Sequence, residues 1–154
     1  KVDAAIIACA GLNRLNMANK ISAVLAPNEF IPAPAQGALA VQIRADAHEL
    51  ARLVSKLDDE PTRFAVEIER YILAAAQGGC SIPLGVYSEI HDETITIHAM
   101  VSDLEAKKYI KLSKTGSVTK GKALAKTLVE ELFEAGAGEI LDQIKKYSYP
   151  ERSQ

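Results

Sequence analysis

Two runs near the start of the chain, Val2 to Ala10 (VDAAIIACA) and Gly37 to Ile43 (GALAVQI), are apolar almost throughout. Runs of this length and kind read as strands buried on both faces, as in a parallel sheet. Such a strand needs neighbours, because its backbone donors and acceptors must be paired and both of its faces covered. The chain offers no partner strands of matching character. Residues 1–60 are therefore expected to be incomplete pieces of two parallel or mixed-sheet domains. The chain also begins at Lys1 without Met, directly at the first run, and so reads as a piece of something longer.

The remainder is easier to assign. Leu15, Ala18, Ile21 and Leu25 give helical spacing over Leu12 to Leu25, weakened by Asn13, Asn16 and Asn19. Pro27, Pro32 and Pro34 make residues 26–35 an extended connector, since proline fixes φ and restrains the residue before it. Asp46 and Glu49 form a capping-box pattern ahead of Leu50, Leu53, Val54 and Leu57, which share a helix face. After the break at Asp58-Asp59-Glu60-Pro61, where Pro61 suits a first helical turn, Phe64, Ile68, Tyr71, Ile72 and Ala75 line a helix that stops at Gly78-Gly79. Three strands follow, at Val86 to Ile90, Thr94 to Val101 and Lys108 to Ser113, joined by short turns as an antiparallel meander. Helices at about Thr119 to Ala135 and through Ile140, Leu141, Ile144 and Tyr147 close the chain, with a polar tail from Ser148 expected to fray. The fold class is thus α/β plus α+β. The incomplete pieces precede a complete small α+β domain, a three-stranded antiparallel sheet with helices on one face.

Composition narrows the function. With 154 residues, 48% hydrophobic and 25% charged, the chain is globular in character. Lys+Arg 18 against Asp+Glu 20 leaves no basic excess for neutralising phosphates, so no nucleic-acid partner is expected. No apolar stretch approaches the roughly 18 residues that span a bilayer, and no secretory signal opens the chain, so no membrane partner is expected either. Two cysteines, Cys9 in an apolar run and Cys80 after two glycines, make no disulfide framework; a reducing cytoplasm is the expected compartment.

Chemistry concentrates at Gln77-Gly78-Gly79-Cys80-Ser81-Ile82-Pro83-Leu84-Gly85. Glycines let the backbone approach a ligand, and a loop thiol is available for nucleophilic or attachment chemistry, unlike a buried one. Locally the same residues also read as a helix cap followed by an incidental cysteine. Elsewhere, His48, His91 and His98 lack zinc-site spacing, and no metal is expected. Lys107, Lys108, Lys111 and Lys114 read as a solvated strand edge, and Glu130, Glu131 and Glu134 as a solvated helix face.

The run GGCSIPLG, preceded by Glu69-Arg70, resembles the cofactor-attachment segment of the porphobilinogen deaminase (hydroxymethylbilane synthase) family. AGLNRL (Ala10 to Leu15) is similar to that family's AGL-x-RL segment, and PAQGALAVQIR (Pro34 to Arg44) to its GQGA segment. The resemblance covers essentially the whole chain and implies the C-terminal half of a three-domain transferase. Residues 1–26 would end domain 2, 27–60 would be a connector with the returning strand and helix of domain 1, and 61–154 would form domain 3. It further implies that Cys80 holds a dipyrromethane cofactor by a thioether, that Arg14 pairs with pyrrole carboxylates, and that Gln36, Gly37 and Ala8 line the cofactor pocket. The substrate would be porphobilinogen, four molecules of which are joined head to tail with loss of ammonia to give hydroxymethylbilane in haem biosynthesis. The catalytic aspartate of the family lies in its N-terminal half, so no catalytic residue is assigned in this chain. Full-length relatives are expected to be monomers, and this fragment to be inactive alone and open to self-association through its strand edges. Pro34-Ala35 departs from the pattern, standing where many members carry Val-Gly.

Two readings from other classes stay beside this one. The unit from about residue 62 would also serve as a stand-alone binding or interaction module with a structural Cys80. Thiol redox chemistry at Cys80 ranks last, because no second cysteine lies nearby.

Overall fold

A computed structural model describes residues 2–76 and 82–148, with side chains to residue 144. The expected helix stop at Gly78-Gly79, Cys80 itself, the Tyr147 side chain and the tail beyond Ser148 lie outside the described residues. The chain divides into two compact units, Lys1–Phe30 and Ile31–Gln154.

In the first unit, α1 spans Cys9–Arg14 and a 3-10 turn follows at Ala18–Lys20. No buried residue falls in either. The expected strand at Val2 to Ala10 is not formed; residues 2–8 carry no regular structure, with Val2, Ile6 and Ile7 exposed. A strand exists only as one side of a ladder, and no described segment pairs with this one. The expected helix over Leu12 to Leu25 shrinks to these two short pieces. Three asparagines, which favour local turns over helix, account for the interruption, and Asn16 itself adopts a left-handed φ of 56°.

The second unit opens with the proline connector. Gly37 to Ile43 is again not a strand, and Leu39 there is 99% exposed. Helix α2, His48–Val54, continues into a 3-10 turn at Ser55–Leu57. Its expected capping box is absent. Ala47 is the N-cap and makes no side-chain cap bond, because the Asp46 carboxylate is held by the Arg44 guanidinium at 2.6 Å.

From residue 60 onward the α+β domain is complete. Helix α3, Glu60–Ala75, starts where the Thr62 N–H donates to the Asp59 carboxylate at 2.9 Å, with proline in the first turn. Strands β1 (Leu84–His91), β2 (Thr94–Ser102) and β3 (Tyr109–Ser117) form an antiparallel meander in that order. Its register sets Val86 opposite Ala99 and Ala99 opposite Leu112. Helices α4, Gly121–Glu134, and α5, Ala137–Ser148, follow, separated by Gly136 at φ 100°.

The core lies between the sheet and the helices. Ile95, Ile97, Ala99 and Val101 point inward from β2 to meet Ile68 and Ile72 of α3, Ala125, Leu128 and Leu132 of α4, and Ile140, Leu141 and Ile144 of α5. Among the described residues, the buried apolar side chains are Ile31 and those of this domain's core. Two surface readings are corrected. Lys114 faces inward from β3 and its ammonium reaches Glu131 of α4 at 2.8 Å, so neither belongs to a purely solvated face. Tyr71, expected on the inner face of α3, is 45% exposed.

Candidate functional site

The site is best built from the outer edge of β1. Val86 and Ser88 are alternate residues of an edge strand, so their N–H groups point away from β2. The first donates to the Pro32 carbonyl at 2.9 Å, which lays the connector against the sheet for one hydrogen bond. Pro32 and Pro34 have no N–H to return, and the connector cannot continue as a fourth strand. Gly85 makes the approach possible, since a Cβ there would stand 2.7 Å from the Ile31 carbonyl oxygen. The glycine closing the GGCSIPLG run therefore has a packing role that spacing alone did not disclose.

The second edge donor, Ser88 N–H, is taken by a side chain. Glu69 of α3 is 6% exposed, and its Oε1 accepts from Ser88 at 2.7 Å while its Oε2 accepts from the Ala35 N–H at 2.6 Å. Burial raises the Glu69 carboxyl above its ordinary value, against the lowering by these two N–H groups. The carboxylate occupies the position that a fourth strand's carbonyl would take. In the sequence, Glu69 stands out only through the resemblance. A carboxylate beside Ile68 and three residues before Ile72, hence on the buried side of α3, was the signal available.

Ala35 sits at φ 62° and Gly37 at φ 87°. Glycine takes this region freely, whereas an L-residue with a Cβ is strained there by about 1–2 kcal/mol. A hydrogen bond to a charged group contributes about 1.5–3 kcal/mol, enough to hold Ala35 in this conformation. The turn is completed by Gln36 N–H to Ala33 O at 3.0 Å and Ala38 N–H to Ala35 O at 3.2 Å.

The residues expected at the site fall in both units. In the first, Ala8 is the N-cap of α1, its carbonyl accepting from Gly11 N–H at 3.0 Å, and Arg14 is the exposed last residue of that helix. Arg14 makes no ion pair among the described residues, which leaves its fork available to a carboxylate. Cys9, expected to be buried, is partly exposed with a free thiol. In the second unit, Gln36 and Gly37 are exposed on the turn, and no atom lies within 4 Å of where a Gly37 Cβ would be. Helix α3 leads from Glu69 to the Gly-Gly-Cys segment, and Ile82 resumes the described chain before β1.

A second polar cluster lies on the sheet face away from the helices. His98 Nδ1 is 2.7 Å from Ser113 Oγ, and the ring stacks on Tyr87 with centroids 6.4 Å apart. The Nε2 atom is buried without a hydrogen bond, 3.7 Å from Glu89 Oε1. Among the described residues no group of histidine, cysteine and carboxylate side chains could hold a metal ion, and no helix is long and apolar enough to cross a membrane.

Fold and turn together define an α+β domain that grips a preceding proline connector and leads, through α3, into a glycine-flanked cysteine. Two family models match in sequence order: "Porphobilinogen deaminase, dipyromethane cofactor binding domain" over residues 1–52, and "Porphobilinogen deaminase, C-terminal domain" over residues 63–134. The chain belongs to the porphobilinogen deaminase family. Relatives carrying that name include the protein of Syntrophobacter fumaroxidans, 35% identical over 142 residues, which span 92% of this chain and 46% of the relative. The Brevibacillus brevis protein is 40% identical over 143 residues (92% and 46%), and that of Mycobacterium tuberculosis 37% over 149 (91% and 48%). The chain spans about half the length of these curated relatives.

Proposed function

We propose that this chain is the cofactor-bearing C-terminal part of a transferase that joins four porphobilinogen molecules into hydroxymethylbilane. The observation that carries the reading is the ordered match of both family models along one chain. On this reading residues 1–26 complete one sheet domain, 27–60 return to another, and 61–154 form the third. Pieces of unfinished sheets account for apolar runs that stand exposed at Val2 to Ile7 and Leu39 to Val41.

The residues present suit a dipyrromethane. Cys80 supplies a soft thiolate. Its sulfur would hold the group as a thioether, by adding to the electrophilic exocyclic carbon that porphobilinogen would present on losing ammonia. When bound, the dipyrromethane supplies the nucleophilic pyrrole end from which the chain grows. Arg14 offers two parallel N–H donors to a pyrrole acetate or propionate. Gly37, with open space at its Cβ position, lets the backbone come close to a ring, and Gln36 offers both a donor and an acceptor. Ala8, small and at the start of α1, leaves room beside Arg14's helix. A reducing cytoplasm keeps the thiol available, and the complete enzyme works as a monomer.

The test is the denatured intact mass of the natural polypeptide that carries this segment, beside its Cys80→Ser form. An excess of two pyrrole units that disappears with the serine is expected. No excess in the parent would overturn the reading in favour of a binding module with a structural Cys80. The 154-residue chain alone is expected to consume no porphobilinogen.

A further inference from the structure

We propose that Glu69 is a positioning residue, clasping the Pro34–Ala38 turn to the edge of β1 and so fixing where Gln36 and Gly37 stand. The proposal rests on the reading of that turn as part of the cofactor pocket. Its geometry does not. Both carboxylate oxygens are engaged, one on each side of a gap: Oε2 with Ala35 at 2.6 Å and Oε1 with Ser88 at 2.7 Å. Among the described residues no other side chain hydrogen-bonds to the turn. Upstream, the connector touches the β1 edge through a single backbone bond at Pro32, and its prolines can donate none. Ala35 is held at φ 62°, a conformation its Cβ disfavours, and its N–H is the group that Glu69 holds.

The clasp also has a direction. Glu69 stands on the helix that runs on to the Gly-Gly-Cys segment, six residues before the last residue of α3. One carboxylate thus ties three things together: the turn with Gln36 and Gly37, the first strand after the cysteine, and the helix before it. A buried carboxylate with two donors cannot be replaced silently by its amide. Glutamine keeps the volume but has one acceptor oxygen, so one of the two N–H groups would face an NH₂.

The experiment follows amide hydrogen exchange and turnover in the natural full-length protein with its cofactor, comparing the parent with Glu69→Gln and with Glu69→Gln/Ala35→Gly. Exchange of residues 35–38 is expected to speed up tenfold or more in Glu69→Gln, with β2 and β3 unchanged. Ala35→Gly should restore part of the protection by removing the strain. Turnover should fall with KM for porphobilinogen little changed, as expected for misplaced groups and not for lost affinity. Unchanged exchange at 35–38 would overturn the clasp, as would equal loss of protection across the whole sheet, which marks an ordinary core residue. Faster exchange with unaltered kcat would overturn the positioning role. Should Glu69→Gln fail to fold, Glu69→Asp, which keeps both acceptors on a shorter arm, must show the same local loss at 35–38 or the proposal fails. Absence of the two-pyrrole mass from the parent would sink the functional reading alone, and the exchange arm would still decide the clasp.

Discussion

Val2 to Ala10 and Thr94–Ser102 are both nine-residue runs with strong strand character, yet only the second is a strand. The second alternates, sending Ile95, Ile97, Ala99 and Val101 inward and Thr94, Thr96, His98, Met100 and Ser102 outward. One covering layer satisfies such a strand, and α3, α4 and α5 provide it. Its edges are met by β1 and β3, both within twenty residues of chain. The first run is apolar on both faces, so it demands two layers and two neighbours. Local sequence carries the demand, but whether it is met depends on what else the polypeptide contains. An alternating strand can be completed by its own domain; a continuously apolar one depends on more distant chain.

The largest test of this contrast is a pair of truncations at apolar residues. Leu128→Ala, in the completed core, should lower stability by about 2–5 kcal/mol in urea denaturation. Ile6→Ala, exposed in the first run, should stay within about 0.5 kcal/mol. Equal losses would mean that the first region has a core of its own.

Gly85→Ala probes the seam between the connector and the domain. A Cβ placed 2.7 Å from the Ile31 carbonyl forces the backbone to move, and a loss of about 1–3 kcal/mol is expected, by analogy with overpacked sites. A neutral result would show that the connector lifts from β1 at little cost.

Ala35→Gly acts in the opposite sense. Relief of the left-handed strain, less the extra freedom glycine has when unfolded, should raise stability by about 0.5–1 kcal/mol, measured as a shift in urea midpoint. Of the two residues read in the sequence as departing from a Val-Gly pair, Pro34 and Ala35, the second is the one that the structure places in glycine's conformation.

The subtlest effect is in pH. Glu69 is raised in the folded state, so the stability it contributes is fully present below the unfolded value and is lost as pH rises through the folded one. The margin of the parent over Glu69→Gln, whose amide does not titrate, should be greatest below about pH 4 and shrink as pH climbs past the ordinary glutamate value. A margin that grows with pH would mean that the two N–H bonds outweigh burial.

Much of the second unit was legible because its strands alternate and its helices carry regular apolar spacing. The end of β3 was not. Lys114, Thr115, Gly116 and Ser117 look like a polar turn, yet they pair with Thr94 to Ile97, and the missing Cβ at Gly116 leaves room for Leu124 of α4, which lies 2.8 Å from its position. Cross-strand pairing and a helix packed above a glycine are not local properties. Of the candidate site, the motif residues could be named in advance, but the part that Glu69 plays depends on a strand edge and a turn brought together only by folding.

The prolines of the connector bear on how the protein keeps company with other molecules. A sheet can grow from either side by recruiting another chain, and the two sides of this one are closed by different chemistry. On the β3 side the exposed lysines at 108 and 111 meet an incoming strand with charge. On the β1 side, Pro32 accepts one bond and offers no donor in return. The segment that links two parts of the polypeptide thus also caps part of the sheet's β1 edge, at a place where a further strand would otherwise pair.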